Sequence, residues 1–120
     1  MIEPGEIPRT AYLRASPDAF QQAISIGAVG TGMTASMKIG KNTYILYNKS
    51  GILDGQEGNR RVKGRILAGN LYIIGTTDDH QPRSLSGDEL LKYTFAFARP
   101  EHFTEAELID SHVDALMATL

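Results

Sequence analysis

Apolar and polar residues alternate most regularly along MTASMKI (33–39), where every second side chain is apolar. This period of two predicts a strand that turns one face toward a core. A turn at 40–42 and the β-prone run TYILY (43–47) follow directly. Together these segments predict a β-hairpin.

A second β-prone region, Asn59 to Gly75, joins the most basic run of the chain to its most apolar run. Arg60, Arg61, Lys63 and Arg65 place four cations within six residues. If the run is one strand, the last three share a face, spaced roughly 6.5–7 Å apart. Such a row predicts a site for an anionic, phosphate-bearing ligand. The alternative is a solvated edge strand, on which basic residues discourage aggregation.

Three segments carry residues that typically start helices. The run Ser16–Asp18 predicts a helix that continues to about Ile26. Ser86 and Thr104 each stand three residues before a glutamate, a capping-box pattern that predicts two C-terminal helices. The last helix has apolar residues at helical spacing up to Leu120, and the chain from 101 onward has five acids and no lysine or arginine.

The order of these elements predicts an α+β fold. We expect a mostly antiparallel sheet of four to five strands, with one N-terminal helix and two C-terminal helices. At 120 residues the chain is long enough to bury its own core, so a single domain spanning 1–120 is expected. Pro4, Gly5 and Pro8 predict that residues 1–8 form a loose N-terminal arm.

Charge and composition restrict the partners. A net charge of −2 gives no overall attraction for nucleic acid, so no nucleic-acid partner is expected. No apolar run approaches 18 residues, which predicts no membrane partner. The chain has no cysteine, and its first residues lack the basic start and apolar run of a signal peptide. These features predict a cytoplasmic protein.

The sequence has no recognisable catalytic motif. His80, His102 and His112 do not have the i, i+4 spacing of a helical zinc site. The glycines of GAVGTG (27–32) follow a helix, whereas those of phosphate-binding loops follow a strand. The run 78–80 is interpreted as a solvated loop, with a metal cluster as the alternative. We therefore expect a binding protein and not an enzyme, with no catalytic residue, metal ligand or cofactor, although acid pairs that meet only in space stay an alternative.

Aromatic residues gather around Arg99, at Tyr93, Phe95, Phe97 and Phe103. A nucleobase stacks well between such rings and a guanidinium. The alternative is that these rings belong to the core, which is usual for aromatic residues at helical spacing. Together with the basic run they give the predicted ligand-binding set, which contains Asn59, Arg60, Arg61, Lys63, Arg65, Phe95, Arg99 and Phe103.

Four segments between residues 47 and 103 resemble a family of small uncharacterised domains carried by phages and mobile elements. They are YNKSGILDG, NRRVKGRILAGNLYIIG, SLSGDELLKY and the F-ARPEHF corner. The resemblance implies a phage origin, and small phage proteins are often counter-defence factors. Some of these are oligomeric sponges that sequester nucleotide signals, such as the Thoeris anti-defence proteins.

The combined expectation is a non-enzymatic anti-defence protein that binds and sequesters an anionic, nucleotide-like signalling molecule in the host cytoplasm. The apolar face of the last helix predicts a homo-oligomer through the C-terminal helices. One alternative is an inhibitor that blocks a host defence protein by direct contact through the acidic last helix. The other is a small enzyme that acts on nucleotides.

Overall fold

The computed structural model describes residues 1–13, 16–26, 28 and 32–117. The predicted helix stop at Gly27, most of GAVGTG and the C-terminal Leu120 lie outside these residues. The fold is α+β, as predicted. Its elements are α1 (Pro17–Ile24), β1 (Thr34–Gly40), β2 (Thr43–Asn48), β3 (Gly58–Val62), β4 (Arg65–Ala68), β5 (Tyr72–Thr76), β6 (Pro82–Arg83), α2 (Gly87–Ala96) and α3 (Glu105–Met117).

Four strands form the main sheet, in the order β1-β2-β5-β6, and each neighbouring pair is antiparallel. The β1–β2 hairpin confirms the prediction from alternation, with Asn42 at a positive φ of 52° in its turn. Strand β2 is central and covered on both faces. Ile45 and Tyr47 point into a cluster shared with β3 and β4, whereas Leu46 points into a second cluster under α1.

The basic run is a hairpin and not the single strand that its sequence predicts. Strands β3 and β4 pair antiparallel, with Val62 opposite Arg65. Lys63 and Gly64 form the turn between them, with φ values of 49° and 80°. Two consecutive residues at positive φ are typical of a type I′ turn, which matches the twist of the strands that it joins. Glycine takes such a φ without strain, and this allows the tight reversal.

The expected loose N-terminal arm is anchored in the fold. Ile2 is only 1% exposed and exchanges two backbone hydrogen bonds with Leu71, at 2.8 and 2.9 Å. The side-chain amide of Asn59 also donates to the Ile2 carbonyl at 2.7 Å. Pro4 and Gly5 shape a turn after this bridge, so they interrupt regular structure without releasing the segment.

Helix α3 covers the β3–β4 hairpin. The Ser111 hydroxyl accepts a buried hydrogen bond of 2.8 Å from the Ile66 N–H, which would otherwise be an unpaired edge donor of β4. A Cβ at Gly58 would lie 2.8 Å from Leu108 and 2.9 Å from Phe103, so the helix approaches β3 closely at this glycine. The β3–β4 hairpin and α3 therefore pack together as one unit.

Both predicted capping boxes are present. At α2, Ser86 accepts from the Glu89 N–H at 3.2 Å and the Glu89 carboxylate accepts from the Ser86 N–H at 2.9 Å. At α3, Thr104 and Glu107 make the same reciprocal pair at 3.2 and 2.9 Å. These contacts satisfy backbone N–H groups that the first turn of a helix leaves unpaired.

Candidate ligand-binding sites

Two of the predicted ligand-binding residues, Asn59 and Arg60, are buried in the fold, at 0% and 1% exposure. The Arg60 guanidinium donates to the backbone carbonyls of Glu6, Asn59 and Phe97 and to the side-chain oxygen of Asn59. Arginine has five N–H donors, and these contacts engage all of them. Burial lowers the pKa of Arg60, and the charge of Glu101 opposes this effect in part. Arg60 thus links three segments of the chain and has no donor left for a ligand.

The other two arginines of the basic run lie on opposite faces of the β3–β4 hairpin. Residues opposite each other in an antiparallel pair share a face, so Arg61 lies on the face of Ile66 and Arg65 lies on the opposite face with Val62. The Arg61 guanidinium lies 5.7 Å from the ring centroid of Phe103. The Arg65 guanidinium lies 6.0 Å from that of Tyr47. The three-cation row predicted from the sequence is therefore wrong, because the turn at 63–64 places its two arginines on opposite sides.

Lys63 and the predicted aromatic group are also separated. The Lys63 ammonium donates to the Lys38 carbonyl. Phe95 is 79% exposed on α2, whereas Phe103 is half-buried beneath Arg61. Arg99 is exposed after α2. Whether any of these side chains contacts a ligand stays a prediction, but they do not form the stacking site that the sequence indicates.

Arg65 instead belongs to a small pocket between the end of β2, β4 and α3. We call it the cationic pocket, because Lys49 and Arg65 line it, together with His112, Asn48 and Ser111. It has a volume of about 20 Å³, and none of the described residues that line it is acidic. The carboxylate of Asp54, which does not line the pocket, accepts hydrogen bonds of 3.0 and 2.9 Å from the side chains of Asn48 and Ser50.

The volume of the cationic pocket defines what can enter it. About 10–15 Å³ is sufficient for one water molecule, so about 20 Å³ accommodates one oxygen-sized group. An oxyanion would place one oxygen inside and keep the rest of the molecule at the mouth. Arginine and lysine are suited to this role because they donate charge-assisted hydrogen bonds to phosphate and carboxylate oxygens.

A second and much larger cavity lies beside β5. This edge cleft has a volume of about 580 Å³, within the roughly 300–1,000 Å³ typical of small-molecule sites. The segment 8–13 and Phe20 of α1 form one wall, and β6 with α2 forms the other. Tyr72 and Ile74 of β5 lie between these walls. Burial raises the pKa of Tyr72, so its phenol stays protonated well above neutral pH.

An ion pair fixes one wall of the edge cleft. Arg83 lies 2.6 and 2.9 Å from the two carboxylate oxygens of Glu89, a bidentate pair that also receives a hydrogen bond from Thr43. The Arg83 guanidinium further donates to the carbonyls of Asn42, Thr76 and Ser84. The Arg83 hydrogen bond is the largest cause that lowers the pKa of Glu89 to about 2, and the Ser86 N–H adds to it.

Sequence reasoning missed Lys49 and His112 of the cationic pocket and the whole of the edge cleft. Lys49 looks like a turn residue and His112 like one polar position on an acidic helix, and neither has a local motif. The walls of the edge cleft come from four separate parts of the chain. Of the residues that line the cationic pocket, only Arg65 belongs to the ligand-binding set predicted from the sequence, because it is part of the basic run.

Within the ranges 1–13, 16–26, 28 and 32–117, no helix is both long and apolar enough to cross a membrane. The same part of the chain contains no group of three or more histidine, aspartate or glutamate side chains arranged to hold a metal ion. Comparison with protein-family models, curated proteins and solved structures found no match for this chain.

Proposed function

We propose that this protein binds an anionic, phosphate-bearing small molecule without transforming it, and that the cationic pocket holds the phosphate. The observation that carries the proposal is the lining of that pocket, which contains Lys49, Arg65 and His112 and, among the described residues, no aspartate or glutamate. Arg65 is half-buried, so its charge acts with less screening by water than a fully exposed one. An anion would supply the missing opposite charge.

The chemistry of the lining suits an oxyanion, and a phosphate of a nucleotide-like ligand meets this requirement. Arg65 has a planar fork suited to two phosphate oxygens, and Lys49 adds a mobile point charge. The Ser111 hydroxyl accepts the bond from Ile66 and keeps its own proton for a further acceptor. The rest of a nucleotide would lie outside the pocket, where its base contacts the surface.

In the cell, we propose that binding withholds the ligand from a defence response, as in a phage-encoded sponge for a nucleotide signal. A second candidate is direct inhibition of a host protein by α3. Direct inhibition is favoured by the exposed apolar residues of α3, since Ile109, Val113 and Met117 are 52%, 47% and 63% exposed. The same helix has acidic residues and no lysine or arginine. Turnover of the bound nucleotide would identify the third candidate, a nucleotide-acting enzyme.

Calorimetric titration with pyrophosphate and with a panel of linear and cyclic nucleotides tests the proposal. Charge-assisted hydrogen bonds contribute about 1.5–3 kcal/mol each, so Arg65→Ala and Lys49→Ala should each weaken binding about ten- to a hundred-fold. Arg61→Ala is the matched control, because it removes an arginine of the same hairpin from the opposite face. It should change the affinity less than about threefold.

The outcomes separate the candidates. Equal losses in Arg61→Ala and Arg65→Ala would indicate general attraction to a basic surface and overturn the cationic pocket as the site. If the native protein binds none of the probes, sequestration is wrong and direct inhibition of a macromolecule becomes the better candidate. Far-UV circular dichroism of each variant verifies that the fold is retained.

Self-association through the C-terminal helices stays a prediction with its own test. If the exposed apolar residues of α3 meet another copy, light scattering should give a mass that is a multiple of 13.1 kDa. Ile109→Asp with Met117→Lys should then return the mass to that of one chain, because charges would be buried without partners. A native mass near 13.1 kDa would show that the chain does not assemble in this way.

A further inference from the structure

Among the described residues, none pairs with the outer edge of β5 at Ile73. In an antiparallel strand the backbone N–H and C=O of one residue point to the same side, and successive residues alternate sides. Leu71 exchanges both of its bonds with Ile2, whereas the Thr76 N–H donates to Asn42, on the β2 side. Odd-numbered residues of β5 therefore face outward, and even-numbered residues face β2.

The pairing of β2 gives the same result independently. The Lys49 N–H donates to the Met33 carbonyl on the β1 side, so Tyr44 and Leu46 direct their backbone groups toward β5. Their partners in β5 are Ile74 and Tyr72. It follows that the N–H and C=O of Ile73 point away from β2. No described residue pairs with them there, since the outer neighbours of the strand are Ile2 at Leu71 and Arg83 at Gly75.

These two backbone groups face the edge cleft, which Ile73 lines. The side chain of Ile73 packs against the core cluster that contains Ile45, so the strand edge is what this residue offers to the cleft. A donor and an acceptor fixed side by side are complementary to a molecule that carries an acceptor next to a donor. Carboxamides and the hydrogen-bonding edges of nucleobases have this arrangement in a plane.

The surroundings favour an uncharged, flat ligand. Among the described lining residues, both arginines are paired with carboxylates, Arg83 with Glu89 at 2.6 Å and Arg9 with Glu3 at 2.9 Å. The N-terminal ammonium of Met1 donates to the Arg9 carbonyl at 2.8 Å. Phe20 and Tyr72 contribute aromatic rings to its walls. Flat rings contact such side chains well, and a neutral ligand displaces neither ion pair.

We propose that the edge cleft binds a neutral planar heterocycle or aromatic carboxamide, through paired hydrogen bonds to the backbone N–H and C=O of Ile73. An extended peptide fits less well. Strand addition needs several consecutive rungs, and here Ile2 and Arg83 occupy the positions on either side of a gap one residue long. This site shares no lining residue with the cationic pocket and does not depend on the proposed function.

Amide-resolved NMR titration with nicotinamide and adenine tests the site. Both probes should shift the Ile73 N–H resonance in a saturable manner, with smaller shifts at the neighbouring residues of β5. N,N-dimethylnicotinamide keeps the ring and loses the N–H donors, so it should bind at least tenfold more weakly. Equal binding of this compound, or shifts that map away from the edge cleft, would overturn the proposal, as would the absence of any shift at Ile73.

A pair of α2 variants adds a second readout. Thr94 is exposed and lines the edge cleft, so Thr94→Trp should fill its mouth and weaken binding at least tenfold. Ala96 is exposed on the same helix and does not line the cleft, so Ala96→Trp should change the affinity less than twofold. Unchanged binding in Thr94→Trp would place the ligand elsewhere. The spectrum of each variant reports at the same time that the chain is folded.

Discussion

Arg60→Met is expected to lower the free energy of unfolding by about 2–4 kcal/mol. Methionine retains an apolar stem and removes all five donors, so four oxygens lose their partner. A buried acceptor without a hydrogen bond costs about 1–3 kcal/mol, and the carbonyls nearest the surface recover part of this from water. Three segments, at Glu6, Asn59 and Phe97, would lose their common contact.

Urea unfolding of both proteins measures this difference. The midpoint should fall while the slope of the free energy against urea stays constant, because the surface exposed on unfolding is nearly the same. Arg61→Met is the matched control, since Arg61 is exposed and its removal should cost less than about 1 kcal/mol. Equal destabilisation by the two variants would refute the assignment of Arg60 as the residue that joins these segments.

Acid is expected to destabilise the protein through Glu89. The folded-state pKa of this carboxyl is about 2, below its ordinary value of 4.5. A depressed folded pKa stabilises the fold above the unfolded value, and this contribution is lost as the pH falls from 4.5 toward 2. The Glu89 side chain is 21% exposed, so after allowance for solvent the loss is about 1–2 kcal/mol.

The measurement is the free energy of unfolding at several pH values for the native protein and for Glu89→Gln. Glutamine retains an acceptor for the Ser86 N–H but has no charge to titrate. The variant should be less stable near neutral pH, and the two curves should converge as the pH approaches 2. Glu105→Gln, at an exposed acid in the first turn of α3, should leave the native curve almost unchanged. Parallel curves for native protein and Glu89→Gln would contradict the prediction.

Local patterns predicted the elements of this fold well. The capping boxes at Ser86 and Thr104 and the β1–β2 hairpin are present because a few neighbouring residues determine them. The turn at Lys63–Gly64 was missed, since lysine before glycine lacks the Asn-Gly or Asp-Gly pattern that usually identifies a type I′ turn. That one turn decides which face each cation occupies.

Arg60 shows why the candidate site was harder to predict than the fold. An arginine in a basic run is normally solvated, because burying it requires a partner for every donor. Here the distant partners are the backbone carbonyls of Glu6 and Phe97, and every residue type has a carbonyl, so no residue pattern identifies these partners. The two cavities were not predicted for a similar reason, since each is lined by residues from separate parts of the chain.

The bridge between Ile2 and Leu71 has a consequence for the order of folding. The Ile2 carbonyl also accepts from Asn59, 57 positions along the chain, so the backbone and side-chain partners of Ile2 are synthesised much later than Ile2 itself. Closing so long a loop is entropically costly before its contacts form. We therefore expect the first segment to dock late, after β3, β4 and β5 are in place. Contacts between residues that are far apart in the sequence slow folding. Because the contact with Leu71 forms late, a change at Leu71 should alter the folding rate less than the unfolding rate.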